Sequence, residues 1–141
     1  MPTLRHALAA GSLGLALIWT ASVAPAQTGD ALYVCADPDA TRAIDIGATI
    51  CDATPTDALM ARLEPDYLQL REGALVTEVS PGGVAQVAGL RAGDVIYRVG
   101  GVDVEDNVEA TARLSLLVES ADTVVNFLRG GRPYLVRLRR P

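Results

Sequence analysis

The chain has 141 residues, of which 12 are basic and 17 are acidic, and half of its residues are hydrophobic. Its net charge of −5 argues against a nucleic-acid partner, because nucleic-acid-binding domains carry basic patches. The length suits one domain with a real core, and a second sizeable domain does not fit beside it.

The first 26 residues have the three-part layout of a secretory signal. Arg5 and His6 precede an apolar stretch from Ala7 to Val23, and Ala24-Pro25-Ala26 provides an A-x-A cleavage motif. Because small and polar residues interrupt the apolar stretch, a permanent membrane span is the weaker interpretation. We therefore predict cleavage after Ala26 and a periplasmic or secreted protein with no membrane span after cleavage.

Residues 27–41 are expected to form an N-terminal arm with a short edge strand at Leu32-Tyr33-Val34. Cys35 in this arm and Cys51 beyond it are the chain's two cysteines. In an exported chain they favour one disulfide, worth about 3 kcal/mol for a closed loop of roughly 15 residues. Two buried free thiols are the alternative. Zinc and other cofactors are not expected, because the one histidine, His6, lies in the predicted signal.

Residues 42–141 alternate short apolar segments with turn residues, which indicates one mixed α+β domain. We expect five or six strands and two or three short helices. The compact apolar segment Ile44–Ile50 around Gly47 is consistent with a buried strand entered through a tight turn. After it we expect, in chain order, a short helix starting within Thr54–Asp57 and ending at Leu63, a strand Ala74–Val79, a helical turn Val84–Ala88 closed by Gly89, a strand Asp94–Val99, a helix from Asp106 or Asn107 to about Glu119, and a hairpin of Thr123–Arg129 and Tyr134–Arg139 across Gly130-Gly131.

The segment Gly73–Val99, GALVTEVSPGGVAQVAGLRAGDVIYRV, resembles the bacterial PDZ family, in particular the PDZ domains of HtrA-type periplasmic serine proteases. Gly89-Leu90 followed by Gly93-Asp94-Val95-Ile96 has the family's form, in which a small helix docks on the barrel before the next strand. The resemblance covers about residues 42–139. It implies a single PDZ-like, partly open β-barrel that binds peptides.

In this family, backbone amides of an apolar–glycine–apolar loop hold a peptide's terminal carboxylate, and the peptide adds as a strand between a groove strand and a groove helix. The loop motif matches Ile46, Gly47 and Ala48, which implies a groove strand at about 48–52 and a groove helix at about 107–119. Arg42, near the loop, is a candidate to support the carboxylate. The predicted peptide-binding residues are Arg42, Ile46, Gly47, Ala48, Ile50, Val108, Ala112 (or Thr111) and Ser115; Ala110, Leu114, Leu117 and Val118 are expected in the core.

Two features of the sequence complicate the loop assignment. Asp45 stands where the family often has an aromatic residue, and its carboxylate would repel a peptide terminus. A rival loop at Tyr67-Leu68-Gln69-Leu70 has the aromatic and apolar residues but lacks the glycine and leaves too few residues before Gly73 for a groove strand. The Gly47 placement is therefore preferred.

Enzyme functions are poorly supported by the residues. A chain whose histidine is removed with the signal cannot supply the base of a Ser-His-Asp triad. Asp45-Ile46-Gly47-Ala48 echoes an aspartic-protease motif, but Ile46 replaces its hydroxyl residue. We therefore expect a non-catalytic module that captures peptide C-termini or extended segments and acts as an adaptor, a sensor or a recruiter for a separate periplasmic protease or secretion component.

The alternative function is structural, with the N-terminal arm blocking the groove and the domain serving assembly. The two hypotheses differ in where residues 30–35 lie. If these residues pair along the free edge of the groove strand, ligand access is closed; if they pair elsewhere, it is open.

Overall fold

The computed structural model describes residues 30–116 and 122–139. The predicted signal peptide and its cleavage motif, and the expected helix residues 117–119, lie outside these residues.

Within the described residues the chain forms eight strands and three helices. The strands are β1 (Tyr33–Cys35), β2 (Arg42–Ile44), β3 (Ala48–Pro55), β4 (Ala74–Val79), β5 (Val95–Val99), β6 (Val102–Asp103), β7 (Asp122–Arg129) and β8 (Arg132–Arg139), and the helices are α1 (Asp57–Arg62), α2 (Val84–Ala88) and α3 (Asn107–Ser115). The expected α+β class is confirmed. The edge strand expected at Leu32-Tyr33-Val34 is present as β1, shifted by one residue. The strand number exceeds five or six because β2 and β6 have only three and two residues, too few for alternation to reveal them.

The strands form one sheet in the order β1-β3-β4-β5-β7-β8, in which β2 also pairs with β3 and β6 with β5. The paired strands run antiparallel. Because β1 and β8 lie at opposite ends of this order, the sheet is not closed. This arrangement agrees with the partly open barrel that the sequence predicted.

The segment Ile44–Ile50, expected as a buried strand entered through a tight turn, has that turn at Gly47, and the residues before the turn fold back as a second strand. The amide of Gly47 donates a hydrogen bond to the carbonyl oxygen of Ile44, 3.1 Å away, and Gly47 has a φ of +76°. The chain reverses there, so that β2 pairs with the start of β3 and Ile44 lies opposite Ala48. The apolar pattern did not show that β2 folds back on β3, because Ile44, in β2, is buried like Ile46 and Ile50.

Local signals place the helices where the sequence predicted their starts. The Thr56 hydroxyl accepts a hydrogen bond from the amide of Leu59 and caps α1. The Asp106 carboxylate accepts one from the amide of Glu109, 2.8 Å away, and caps α3. Gly89 ends α2 in the left-handed conformation.

Two clusters of buried side chains make up the core. The larger one lies between the sheet, α2 and α3, and the smaller one lies under α1 and the N-terminal arm. The largest fully buried members of the first are Ile46, Ile50, Leu90, Ile96, Leu114, Phe127 and Leu138; the second contains Tyr33, Cys51, Leu59, Leu68, Leu75, Val95, Tyr97 and Leu128.

Cys35 and Cys51 form the predicted disulfide, with their Cα atoms 5.5 Å apart. The bond joins β1, in the N-terminal arm, to the middle of β3. In the part of the chain that the structure describes, no helix has the length and apolar character needed to cross a membrane.

Candidate functional site: the groove between β3 and α3

The N-terminal end of α3 is tied to β3 by one carboxylate. Asp52 Oδ1, on β3, accepts hydrogen bonds from the backbone amide and from the side-chain Nδ2 of Asn107, each 2.7 Å long. A carboxylate is stabilised at this position because the first amides of a helix are positively polarised. The contact fixes the spacing between β3 and α3 at this end of the groove.

The same contact identifies the side of α3 that faces β3. Residues four apart share a helix face, so Thr111 and Ser115 follow Asn107 along this side. Each hydroxyl donates a 2.6 Å hydrogen bond to the carbonyl four residues earlier, Thr111 to Asn107 and Ser115 to Thr111. Ala110 and Leu114 lie in the larger core cluster, as the sequence predicted.

Two other predicted helix residues lie further round α3. Val108 is 56% exposed. Ala112 lines a surface cavity of about 410 Å³ together with Asp103 of β6 and with Arg113 and Leu116. This cavity is on the outer flank of α3, so Thr111 is the better candidate of the pair Thr111 and Ala112 for a groove contact.

The predicted carboxylate loop, Ile46-Gly47-Ala48, is anchored to the first turn of α2 and to the turn that precedes it. The Ile46 carbonyl accepts a hydrogen bond from the amide of Ala85 (2.9 Å), and the Gly47 carbonyl accepts one from the amide of Ser80 (2.8 Å). A Cβ atom added to Gly47 would lie 3.2 Å from the Cα of Gly83. Glycine is therefore needed here for close approach as well as for the positive φ.

Strand β2 lies on the edge of β3 that faces α3, the place predicted for a peptide. Arg42, Ala43 and Ile44 pair antiparallel with Ile50, Thr49 and Ala48, and α3 packs against β2. The direction of β2 is towards the loop, as it would be for a peptide whose last residue met Gly47. Arg42 is exposed, whereas Ile44 is buried in the larger core cluster, which also contains Ile46, Ala48 and Ile50.

The N-terminal arm covers the rest of this edge. β1 pairs with Ala53–Pro55, and the amide of Ala36 donates a 2.9 Å hydrogen bond to the carbonyl of Asp52. Since β4 occupies the opposite edge, β2 and β1 together cover the outer edge of β3 along its length. In this structure the groove is closed by the chain's own segments.

The rival loop lies elsewhere in the molecule. Leu68 belongs to the smaller core cluster, and the amide of Gln69 donates a 2.8 Å hydrogen bond to the carbonyl of Gly131, in the turn between β7 and β8. Tyr67 is 87% exposed. The structure does not bring this segment to the groove helix.

Sequence reasoning did not single out Ile44, Asp52 or Asn107 as groove residues. The available signal for a partly buried polar contact was the charge of Asp52 directly after the apolar residues Ile50 and Cys51. Across the described ranges, no group of three or more His, Cys, Asp and Glu residues is arranged to hold a metal ion.

Comparison with known proteins agrees with this fold. Residues 75–128 match the family model described as PDZ domain. A probable periplasmic serine endoprotease, DegP-like, from Halomonas elongata is 39% identical over 67 residues, which are 48% of this chain and 14% of that protein. A probable periplasmic serine protease, do/HhoA-like, from Haemophilus influenzae is 30% identical over 69 residues, 49% of this chain and 15% of that protein.

Among solved structures, the HtrA-type protease AlgW with a decapeptide matches with a TM-score of 0.52 and 22% identity, over 68% of this chain and 29% of that chain. This match shows a shared fold. The chain spans only a small part of the length of the relatives it matches, and the matched part is the PDZ part of the proteases, which is a non-catalytic module. The chain therefore carries a PDZ domain homologous to the PDZ domains of HtrA- and DegP-type proteins.

Proposed function

We propose that this chain is an exported protein-binding module whose PDZ domain captures C-terminal or extended peptide segments by strand addition to β3, in the space between β3 and α3. The observation that carries the proposal is the position of β2. A short extended segment already lies antiparallel on β3, directed at Gly47, with an aliphatic side chain buried beside α3. An incoming peptide in the same direction would make the same backbone contacts.

The chemistry of the site suits a peptide that ends in an aliphatic residue. The Gly47 amide, which now binds the carbonyl of Ile44, would donate to a terminal carboxylate oxygen in its place. The space filled by Ile44 would take the last side chain, and full burial of such a side chain is worth about 1.5–3 kcal/mol. We assign groove contacts to Ile46, Gly47, Ala48, Ile50, Thr111 and Ser115, with Val108 at the rim. Arg42 lies in β2, opposite Ile50, and a peptide in this pose would displace it.

Export to the periplasm or beyond is part of the same proposal. The predicted signal of residues 1–26 supports it, and so do the periplasmic relatives. A disulfide also persists mainly in oxidising compartments. The proposed partners are the chain ends or exposed strands of other exported proteins, including a separate protease or secretion component.

The test is selection from a display library of random C-terminal peptides on the disulfide-bonded protein recovered from a bacterial periplasm. Selected peptides are resynthesised with a free or an amidated C-terminus, and their affinities are measured by fluorescence anisotropy. The free acid should bind at least about tenfold more tightly, because a hydrogen bond to a charged group is worth about 1.5–3 kcal/mol.

Two matched variants locate the site. Thr111→Tyr, which fills the groove, should weaken binding, whereas Leu70→Ala, in the rival segment, should not. Failure to select any peptide on both the wild-type protein and Ile44→Ala, or sensitivity to Leu70→Ala without sensitivity to Thr111→Tyr, would contradict the proposal.

A structural or assembly function is the second candidate, and the pairing of β1 with Ala53–Pro55 favours it. In that case the disulfide holds the N-terminal arm permanently on β3 and the groove takes no ligand. A peptide bound by the disulfide-bonded wild-type protein would rule it out.

A further inference from the structure

We infer that β2 is an internal ligand of the groove and regulates it, so that a peptide binds only when β2 leaves β3. The inference rests on the proposed function, since it concerns the regulation of the same site. It predicts that the chain holds its own groove closed at rest.

The contacts of β2 make binding of a peptide and of β2 mutually exclusive. β2 uses the outer backbone edge of β3 from Ala48 to Ile50. The Ile44 side chain fills the buried space beside α3, and its carbonyl accepts the hydrogen bond of the Gly47 amide. A peptide in the proposed pose needs the same edge, space and amide.

The surroundings of β2 allow it to leave without unfolding the domain. Of its residues only Ile44 is buried, while Arg42 and Ala43 are exposed. The loop that follows is held independently, through the carbonyls of Ile46 and Gly47. On the other side, residues 36–41 are exposed, and β1 is held by the disulfide. Release of β2 is thus a local opening of one short, weakly buried element.

Competition with β2 sets the affinity that an outside peptide can reach. Because a three-residue turn joins β2 to β3, its effective concentration at the groove is at least on the order of millimolar. The apparent affinity of a peptide equals its intrinsic affinity multiplied by the fraction of molecules in which β2 is released, so a small released fraction weakens binding strongly. While β1 stays in place, the edge of β3 that release of β2 exposes is Ala48–Ile50. Only the last three or four residues of an incoming peptide can therefore contact the groove.

The experiment uses the chain's own sequence as the probe. A fluorescent peptide DATRAI, identical to residues 39–44, carries a free C-terminal carboxylate, and an amidated copy serves as its control. Affinities are measured for the wild-type protein, for Ile44→Asp and Ile44→Ala, and for Leu135→Asp, a control at an exposed position of β8. Ile44→Ala is the milder variant and keeps the test valid if Ile44→Asp does not fold. Hydrogen exchange of residues 42–50, followed by mass spectrometry, reports release of β2.

We expect both Ile44 variants to bind the free acid at least about tenfold more tightly than the wild type, since loss of one buried aliphatic side chain shifts the balance by that order. Hydrogen exchange of residues 42–50 should be faster in these variants than in the wild type, and it should be unchanged in Leu135→Asp. Equal affinity of wild type and Ile44 variants would overturn the regulation while leaving peptide binding intact, and unchanged exchange would also overturn it. Fast exchange without any binding of the probe would instead count against the proposed function.

Discussion

The backbone amide of Gly47 lies 3.1 Å from the carbonyl oxygen of Ile44 and donates its hydrogen bond to the chain itself. The two residues close the hairpin between β2 and β3 at the end of the groove. The amide that the sequence assigned to a peptide carboxylate is thus satisfied in the resting protein. Substitutions of Gly47 change this turn as well as any ligand contact, so their effects on stability have to be measured separately.

Gly47→Ala should destabilise the protein more than Gly82→Ala does. Both glycines have nearly the same positive φ, +76° and +75°, so each variant should lose about 1–2 kcal/mol from the left-handed backbone. A Cβ at Gly47 also meets Gly83 at 3.2 Å, whereas nothing lies within 4 Å of one at Gly82. Urea denaturation of the two variants measures the difference, and equal losses would show that the close approach carries no cost.

Reduction of the Cys35–Cys51 disulfide should lower the free energy of unfolding by about 2–4 kcal/mol, because the open chain regains entropy in the unfolded state. The measurement is urea denaturation with and without a thiol reductant. Cys35→Ser should be as unstable as the reduced protein and should not respond to the reductant. An unchanged midpoint after confirmed reduction would argue against a structural role of the bond.

Asp52→Ala should lower the free energy of unfolding by about 1.5–3 kcal/mol, because the Asn107 amide and side chain lose a charged acceptor at the start of α3. Asp52→Asn keeps an oxygen acceptor in the same place and should lose much less. Thermal unfolding followed by circular dichroism compares the two variants. If they lose the same stability, the contact acts through charge rather than through its hydrogen bonds.

Arg129→Leu should lower the free energy of unfolding by about 3 kcal/mol. This is the low end of the range for a broken buried ion pair, because the Arg129 side chain is itself partly exposed. Asp94 is 1% exposed, and Arg129 holds both of its oxygens, with distances of 2.9 and 2.8 Å. The pKa of Arg129 is raised, chiefly by this hydrogen bonding. Arg139→Leu, which breaks an exposed pair with Asp122, is the control and should change the urea midpoint only slightly. Similar losses of stability in both variants would show that the buried Asp94–Arg129 pair contributes no more than the exposed pair.

The stability of the protein should fall in alkali through Tyr33. Burial raises the pKa of the Tyr33 phenol above its ordinary value of 10.0, although its hydrogen bond from the amide of Arg71 acts in the opposite direction. As the pH rises past about 10, the unfolded chain loses this proton first, so the free energy of unfolding falls until the pH passes the folded pKa. Below about pH 10 the contribution is constant. Tyr33→Phe should show a smaller fall in urea denaturation between about pH 9 and pH 11, and an equal fall would assign the effect to other groups.

Several parts of the fold could be predicted from the sequence because single residues carry them. Thr56 and Asp106 cap helices with their own side chains, and Gly89 adopts a backbone angle that other residues avoid. Gly130-Gly131 similarly specifies the turn between β7 and β8, and both glycines have positive φ. These helix ends and turns depend on residues close in sequence, so they can be predicted without a structure.

The closed groove could not be predicted in this way. The apolar run Ile44–Ile50 around Gly47 predicts a tight turn into a buried strand, but no residue in it shows that Arg42–Ile44 folds back to pair with that strand. Which edge of β3 stays free depends on where β2, β1 and α3 meet it, and those contacts join residues far apart in the chain, such as Asp52 and Asn107. The sequence alone determined the PDZ domain and predicted a carboxylate loop at Gly47. Only the tertiary structure decided that Ile44 occupies the groove, because competition for one strand edge is settled by long-range packing rather than by local preference.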